Sequence, residues 1–172
     1  MFSRRQFLVT SGGVGLAALA LGLLPSFATR SALVSEADAA EEFEVTHSDS
    51  EWRAMLSAEQ YDILREEGTE RAYSSALNNE HRDGTFACAG CDLPLFSSAT
   101  KFDSRTGWPS FWTPLDKAVA TRQDRSFGVL REEVHCRRCG GHLGHVFDDG
   151  PKPTGLRYCM NGLAMTFEPK TA

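Results

Sequence analysis

The chain has few cysteines, and only one of them stands alone. Five occur in 172 residues, and four of these fall into two C-x-x-C pairs, Cys88/Cys91 and Cys136/Cys139, leaving Cys159 unallocated. Positive charge is also scarce: 18 Lys and Arg against 23 Asp and Glu leave a net charge of -5. That deficit argues against nucleic acid or an anionic membrane surface as the main partner. The absence of any repeat of solenoid or propeller period excludes those architectures. Low-complexity tracts are missing outside the N-terminal segment. Charge is absent altogether from Phe7 to Leu24, a Gly- and Ala-rich apolar run directly preceded by Arg4-Arg5-Gln6.

Paired arginines before a mildly apolar run outline a twin-arginine export signal. The signal occupies residues 1–28 if cleavage follows Ser26-Phe27-Ala28, and reaches residue 39 if it follows Ala37-Asp38-Ala39. The run is borderline in length for spanning a bilayer, so membrane association is expected only through an uncleaved leader. Residues 29–46 then read as a polar linker and residues 47–170 as one domain able to bury an ordinary core. A cut after Ala39 removes three arginines and two acids, which moves the net charge from -5 to -6. A periplasmic or otherwise extracytoplasmic location follows from this reading.

The domain opens with helical signals and then changes character. Ser57-Ala58-Glu59-Gln60 is a capping box, followed by Tyr61, Ile63, Leu64 and then Gly68, which predicts a helix from about Ala58 to Glu67. A weaker helix is predicted from Glu51 to Leu56, with Asp49 or Ser50 as its cap. Beyond Gly84, short runs bounded by Gly, Pro and Asp predict strands at Thr85–Cys88, Ala118–Arg122, Phe127–Cys136, Leu143–Phe147, Leu156–Asn161 and Leu163–Glu168. The fold class is therefore mostly β, an α+β arrangement with short N-terminal helices and antiparallel strands.

Each C-x-x-C unit sits at the end of a predicted strand entering a tight turn. There two sulfurs can converge on one ion while backbone N–H groups hydrogen-bond the thiolates. With 44 residues between Cys91 and Cys136, a shared zinc ion would clip distant segments together. A four-cysteine site is closed, which marks the metal as structural. An oxidising compartment would also permit two disulfides. Doubled C-x-x-C favours zinc, and twin-arginine substrates cross the membrane folded, so metal can be loaded beforehand.

Cys159 gains meaning from the period of a strand. Arg157, Cys159 and Asn161 project to one face, and Leu156, Tyr158 and Met160 to the other. A neighbouring guanidinium favours thiolate over thiol, and an Asn amide can bind a polar substrate atom. A structural cysteine would instead share the face of Leu and Tyr. Upstream, His145, Phe147 and Asp149 would share a face if extended, with His142 in the preceding loop. Two histidines and an acid near a thiol make a general-acid cluster, although His-x-x-His alone fits a metal pair or polar surface equally well. Asp149-Gly150-Pro151 also suits a plain turn, and Trp108 beside Pro109 suits a core aromatic.

Five segments together resemble the B-type methionine sulfoxide reductases: Cys88-Ala-Gly-Cys91, Lys101-Phe-Asp-Ser104, Gly107-Trp-Pro-Ser-Phe111, His142 through Pro151, and Arg157-Tyr-Cys-Met-Asn161. Their order agrees from about Trp52 to Phe167. The resemblance implies two small antiparallel sheets, a structural four-cysteine zinc site away from the active site, and reduction of methionine-R-sulfoxide, protein-bound or free. It makes Cys159 the nucleophile, with His142 and His145 binding or protonating the sulfoxide oxygen. Arg157 and Asn161 orient the site, Trp108 packs on the S-methyl group with Phe147 as a further substrate contact, and Asp149 orients a histidine or arginine. Many members resolve the sulfenic acid with a second cysteine just before Gly-Trp-Pro-Ser-Phe. Here Thr106 holds that position, which implies an external thioredoxin-like or small-thiol reductant. The protein is expected to act as a monomer.

Overall fold

A computed structural model describes residues 42–171. The expected export signal and most of the linker lie outside the described residues. Among the described residues, no helix is long and apolar enough to cross a membrane.

Among the described residues two short α-helices come first, each started by a hydroxyl that satisfies the orphan amides of the first turn. Helix α1 spans Asp49–Met55 and α2 spans Ala58–Glu66, and both carry complete capping boxes, Ser48 with Glu51 and Ser57 with Gln60. The α1 cap is thus Ser48, and neither Asp49 nor Ser50, because only Ser48 stands three residues before the reciprocating Glu51. The left-handed residue ending α2 is Glu67 (φ 58°), one position before the expected Gly68. Gly68 follows it, where a Cβ would lie 2.2 Å from a carboxylate oxygen of Asp62 and would displace that side chain. Tyr61, Ile63 and Leu64 form the buried face of α2.

Nine strands of the described residues follow: β1 (Gly84–Cys88), β2 (Pro94–Ser97), β3 (Lys101–Phe102), β4 (Ser110–Phe111), β5 (Val119–Asp124), β6 (Arg131–Cys136), β7 (His142–Phe147), β8 (Arg157–Met160) and β9 (Met165–Pro169). They form two antiparallel sheets, ordered β2-β1-β9 and β3-β4-β8-β7-β6-β5. The expected strand beginning at Phe127 begins instead at Arg131, after a 3-10 turn at Ser126–Gly128. The last expected strand starts at Met165, after another such turn at Gly162–Ala164. Strands β2, β3 and β4 escape sequence reading because runs of two to four residues are too short to show a period.

Two ties join the sheets. Phe96 on β2 stacks on Phe111 of β4 with ring centroids 4.3 Å apart, and Phe86 on β1 meets the same ring at 4.9 Å. All three are fully buried, and each contributes roughly 1.5–3 kcal/mol by leaving water. The second tie is made by sulfur. Cys88 ends β1 and Cys136 ends β6; each continues into a tight turn, closed by Asp92 N–H to Cys88 C=O (2.8 Å) and by Gly140 N–H to Cys136 C=O (2.8 Å).

These turns bring all four sulfurs within 4.8 Å of one another. Tetrahedral bonds of about 2.3 Å to zinc separate sulfurs by about 3.8 Å, and Cys88–Cys139 and Cys91–Cys136 lie at 3.7 and 3.5 Å. Every cysteine is a free thiol, so the two-disulfide alternative is not realised. The four residues fit one structural zinc ion. Hydrogen bonding to the Cys136 sulfur, with burial, holds the Cys88 thiol far above its ordinary range, and only a cation in the centre would let all four ionise. Residues 43–45, assigned to the linker from sequence, lie against the second turn: Val45 N–H donates to Arg138 C=O (3.0 Å) and Glu44 pairs with Arg137 (2.7 Å).

Purified protein should contain one zinc per chain. Cys136→Ser should release the metal and lower stability by at least about 4 kcal/mol, read by zinc analysis together with denaturant unfolding; an unchanged midpoint in the metal-free variant would contradict the clip.

Candidate active site

Strand register builds the site from the middle of the larger sheet outward. Ser110 on β4 pairs with Cys159 on β8, Cys159 with His145 on β7, His145 with Glu133 on β6, and Glu133 with Arg122 on β5. Directly paired residues project to the same face. A hydroxyl, a thiol, an imidazole, a carboxylate and a guanidinium therefore stand in one row across five strands. Cys159 is half-buried, while Met160 beside it is fully buried in the core, as strand alternation requires.

His142 belongs to β7 itself and not to the preceding loop. The β6–β7 register shifts between Val134 and His135, so that His142 pairs with His135 and Gly144 with Val134. A bulge of this kind reverses the alternation, which puts His142 on the face of His145 with ring centroids 5.4 Å apart.

Each histidine is backed by a carboxylate. His142 Nδ1 contacts Glu133 Oε1 at 2.7 Å and His145 Nε2 contacts Asp124 Oδ2 at 2.8 Å. An ionised carboxylate only accepts, so these nitrogens carry hydrogen. The opposite nitrogens, His142 Nε2 and His145 Nδ1, are left to gain or lose a proton. His142 Nε2 is buried without a protein hydrogen-bond partner. Burial pushes the His145 pKa down, and the hydrogen bond to Asp124 opposes that shift. Asp124 is held well below the ordinary carboxylate range by hydrogen bonds from Ser126, then by His145 and the charge of Arg131. Burial works against ionisation of Glu133, yet hydrogen bonds from His135 and His142 and the charges of His142 and Arg122 bring it down to about 2.

Cys159 opens into a cavity of about 190 Å³ lined by Thr69, Trp108, Arg131, Gly144, His145, Phe147, Cys159 and Asn161. Of the residues singled out from sequence, Cys159, His145, Asn161, Trp108 and Phe147 thus come together. His142, Arg157 and Asp149 are outside the lining: the His142 ring is next to that of His145, and Arg157 lies over Phe147. Arg157 donates two hydrogen bonds to Asp149, both 2.8 Å, and its guanidinium carbon sits 4.3 Å from the centroid of the Phe147 ring. That carboxylate, with the charge of Cys159, raises the Arg157 pKa further. Cys88, Cys91, Cys136 and Cys139 take no part in the cavity wall.

The walls are held by contacts that sequence reading did not identify. Asn161 Oδ1 accepts from Glu70 N–H (3.0 Å) and its Nδ2 donates to Leu143 C=O (3.2 Å). Trp108 Nε1 donates to Glu70 C=O (3.1 Å), while the buried Glu70 carboxylate accepts from Gly162 and Leu163 N–H (2.7 and 2.9 Å). One residue therefore fixes the aromatic wall, the amide wall and the turn after β8. A Cβ on Gly144 would fall 2.2 Å from the Cys159 carbonyl oxygen, so only glycine lets β7 approach the nucleophile strand this closely. Thr69, Arg131 and Asp124 carried no motif signal. Glu133 carried none either, because it follows Glu132 in a predicted strand whose alternation is mixed.

A half-buried thiol, a guanidinium on its own face and a carboxylate-backed imidazole across the strand define a thiol-dependent enzyme on a zinc-clipped β scaffold. Residues 56–169 match the SelR domain. A peptide methionine sulfoxide reductase MsrB of Thiobacillus denitrificans is 56% identical over 124 residues, covering 72% of this chain and 94% of its own. The proteins of that name from Pseudomonas putida W619 and Agrobacterium fabrum are 55% and 54% identical, covering 70% and 73% of this chain and 91% and 93% of theirs. The chain belongs to the B-type peptide methionine sulfoxide reductase family.

Removing the Asp124 charge should lower the pKa of His145 further, because the influences that remain, burial and the charges of Arg131 and His142, all oppose the imidazolium. In Asp124→Asn the ring should take up its proton at lower pH than in the parent protein, as followed by NMR of the His145 Cε1–H; a midpoint moving upward would refute the dyad.

Proposed function

We propose that this chain reduces the R epimer of methionine sulfoxide, chiefly in oxidised exported proteins, by attack of Cys159. The observation that carries the reading is the pairing of Cys159 with His145 across β8 and β7 inside a cavity walled by Trp108 and Phe147. The aromatic walls suit an S-methyl group, and the polar side suits a sulfoxide oxygen. Preference for the R epimer rests on the family resemblance.

In the proposed cycle, the Cys159 thiolate attacks the sulfoxide sulfur. The His145 imidazolium, held by Asp124, gives its proton to the oxygen, and His142 with Glu133 supplies a second donor behind it. Oxygen passes to Cys159, methionine leaves, and the thiol becomes a sulfenic acid. Arg157, locked by Asp149, favours the thiolate, and Asn161 with Trp108 positions the substrate. A donor thiol then attacks the sulfenic acid and expels water, forming a mixed disulfide. A second donor thiol reduces that disulfide and restores Cys159. Thr106 lies where a resolving cysteine would stand, and the other four cysteines form the metal cluster, so both thiols come from outside the chain. The cycle is proposed for the chain acting as a monomer. Zinc, when bound, supplies structural closure alone.

Cys159→Ser should cut turnover by on the order of 10³-fold or more in an epimer-resolved assay. Mass spectrometry of the parent protein after treatment with the R-sulfoxide should find sulfenic acid or its trapped adduct at Cys159. An internal disulfide at Cys159, or faster turnover with peroxide than with sulfoxide, would sink the proposal. Residues 1–28 are assigned to twin-arginine export into the periplasm. Replacing Arg4 and Arg5 by lysine should leave the folded, zinc-loaded protein in the cytoplasm, as cell fractionation would reveal; undiminished export would refute this assignment.

A further inference from the structure

Thr106 does more than leave the resolving position empty of sulfur. Its Oγ1 lies 3.7 Å from Cys159 Sγ and 2.8 Å from Ser104 Oγ, and Ser104 Oγ lies 2.7 Å from Ser110 Oγ. Ser110 Oγ is in turn 3.1 Å from the Trp108 carbonyl oxygen, to which it donates. Three hydroxyls thus connect the reactive sulfur to a backbone acceptor, and Ser110 is fully buried.

Counting protons shows what such a chain does. There are four contacts, from sulfur to Thr106, Thr106 to Ser104, Ser104 to Ser110, and Ser110 to the carbonyl. With Cys159 as a thiol there are four protons, and all point away from sulfur toward the carbonyl, which can only accept. Loss of the sulfur proton leaves three for four contacts. Reversing the three hydroxyls then places a Thr106 proton on the anionic sulfur and leaves open the contact at the neutral carbonyl, the longest of the oxygen-to-oxygen steps. A bond to an ionised acceptor is roughly twice as strong as one to a neutral acceptor, so the reversal favours the thiolate.

We propose that Thr106 is a catalytic residue whose hydroxyl donates to the Cys159 thiolate, and that Ser104 and Ser110 are positioning residues whose hydroxyls reverse with it. The inference rests on the reading of Cys159 as nucleophile. The charged and titratable groups near this sulfur and its hydroxyls include Arg157 on β8, which is paired with Asp149 and hydrogen-bonds the sulfur itself, His145 on β7 with Arg131 and Asp124 beside it, and Asp103 and Arg105 on either side of Ser104. The hydrogen bonds of the three hydroxyls run to one another, to Cys159 and to the Trp108 carbonyl.

The test is the pH dependence of Cys159 alkylation by iodoacetamide in the reduced, zinc-loaded protein, followed by mass spectrometry of the Cys159 peptide. No sulfoxide is present, so failure of the reductase reading would appear separately as absent turnover in the parent protein. Thr106→Val, which keeps the shape and removes the hydroxyl, should raise the midpoint by about one pH unit and slow alkylation at neutral pH about tenfold. Thr106→Ser should restore the parent midpoint, and Ser104→Ala should shift it in the same direction by less. A valine variant that titrates like the parent would overturn the proposal, as would a serine variant as impaired as valine. If the valine variant does not fold, Ser104→Ala decides: an unshifted midpoint there overturns the proposal.

Discussion

Four sulfur atoms at the ends of two strands hold the two sheets of this protein together. Cys88 closes the central strand of the smaller sheet and Cys136 closes a strand of the larger one, so an ion shared by both turns spans the segments between them. The Phe86, Phe96 and Phe111 cluster makes the second tie. Phe111 lies one residue after Ser110, which pairs with Cys159. The apolar junction of the sheets and the start of the reactive row are therefore adjacent residues of one two-residue strand. Rigidity at the junction passes directly to the nucleophile strand, in keeping with sites that are held by regular elements and not by loops.

Across that sheet the chemistry is arranged so that buried charge is always answered. Glu133 is buried, yet Arg122, His135 and His142 surround it and keep it ionised. Asp124 is shared between His145 and Arg131. An isolated buried carboxylate would instead take up a proton. Here each acid orients a base, and the two acid–base pairs converge from β5 and β6 on the histidines of β7. The neutral hydroxyls of Thr106, Ser104 and Ser110 serve the same nucleophile from β4 and the loop before it.

Much of this was readable beforehand, for identifiable reasons. A capping box announced α2 because a Ser followed three residues later by Gln satisfies backbone donors locally, whereas the equivalent Ser48–Glu51 box of α1 was passed over for Asp49 or Ser50. Period two separated Cys159 from Met160 because strand alternation depends on no partner. The doubled C-x-x-C pointed to the sulfur cluster because ligand spacing within a turn is a local property. Less accessible was the place of His142, since a bulge is a defect of register between two strands and leaves no mark on either alone. Strand β4 was invisible for a related reason: two residues become a strand only when β3 and β8 lie beside them.

Local residue order was enough to set the helices and their caps, the two metal-binding turns, the polar face of β8 and the solitude of Cys159. Each of these follows from residues within a few positions of one another. The folded arrangement was needed to put Asp124 behind His145 and Glu133 behind His142, to let Glu70 hold both Trp108 and Asn161, and to bring Thr106 against the reactive sulfur. Those contacts join residues separated by 9 to 91 positions. They exist only because cross-strand pairing and two inter-sheet ties bring distant segments within hydrogen-bond range.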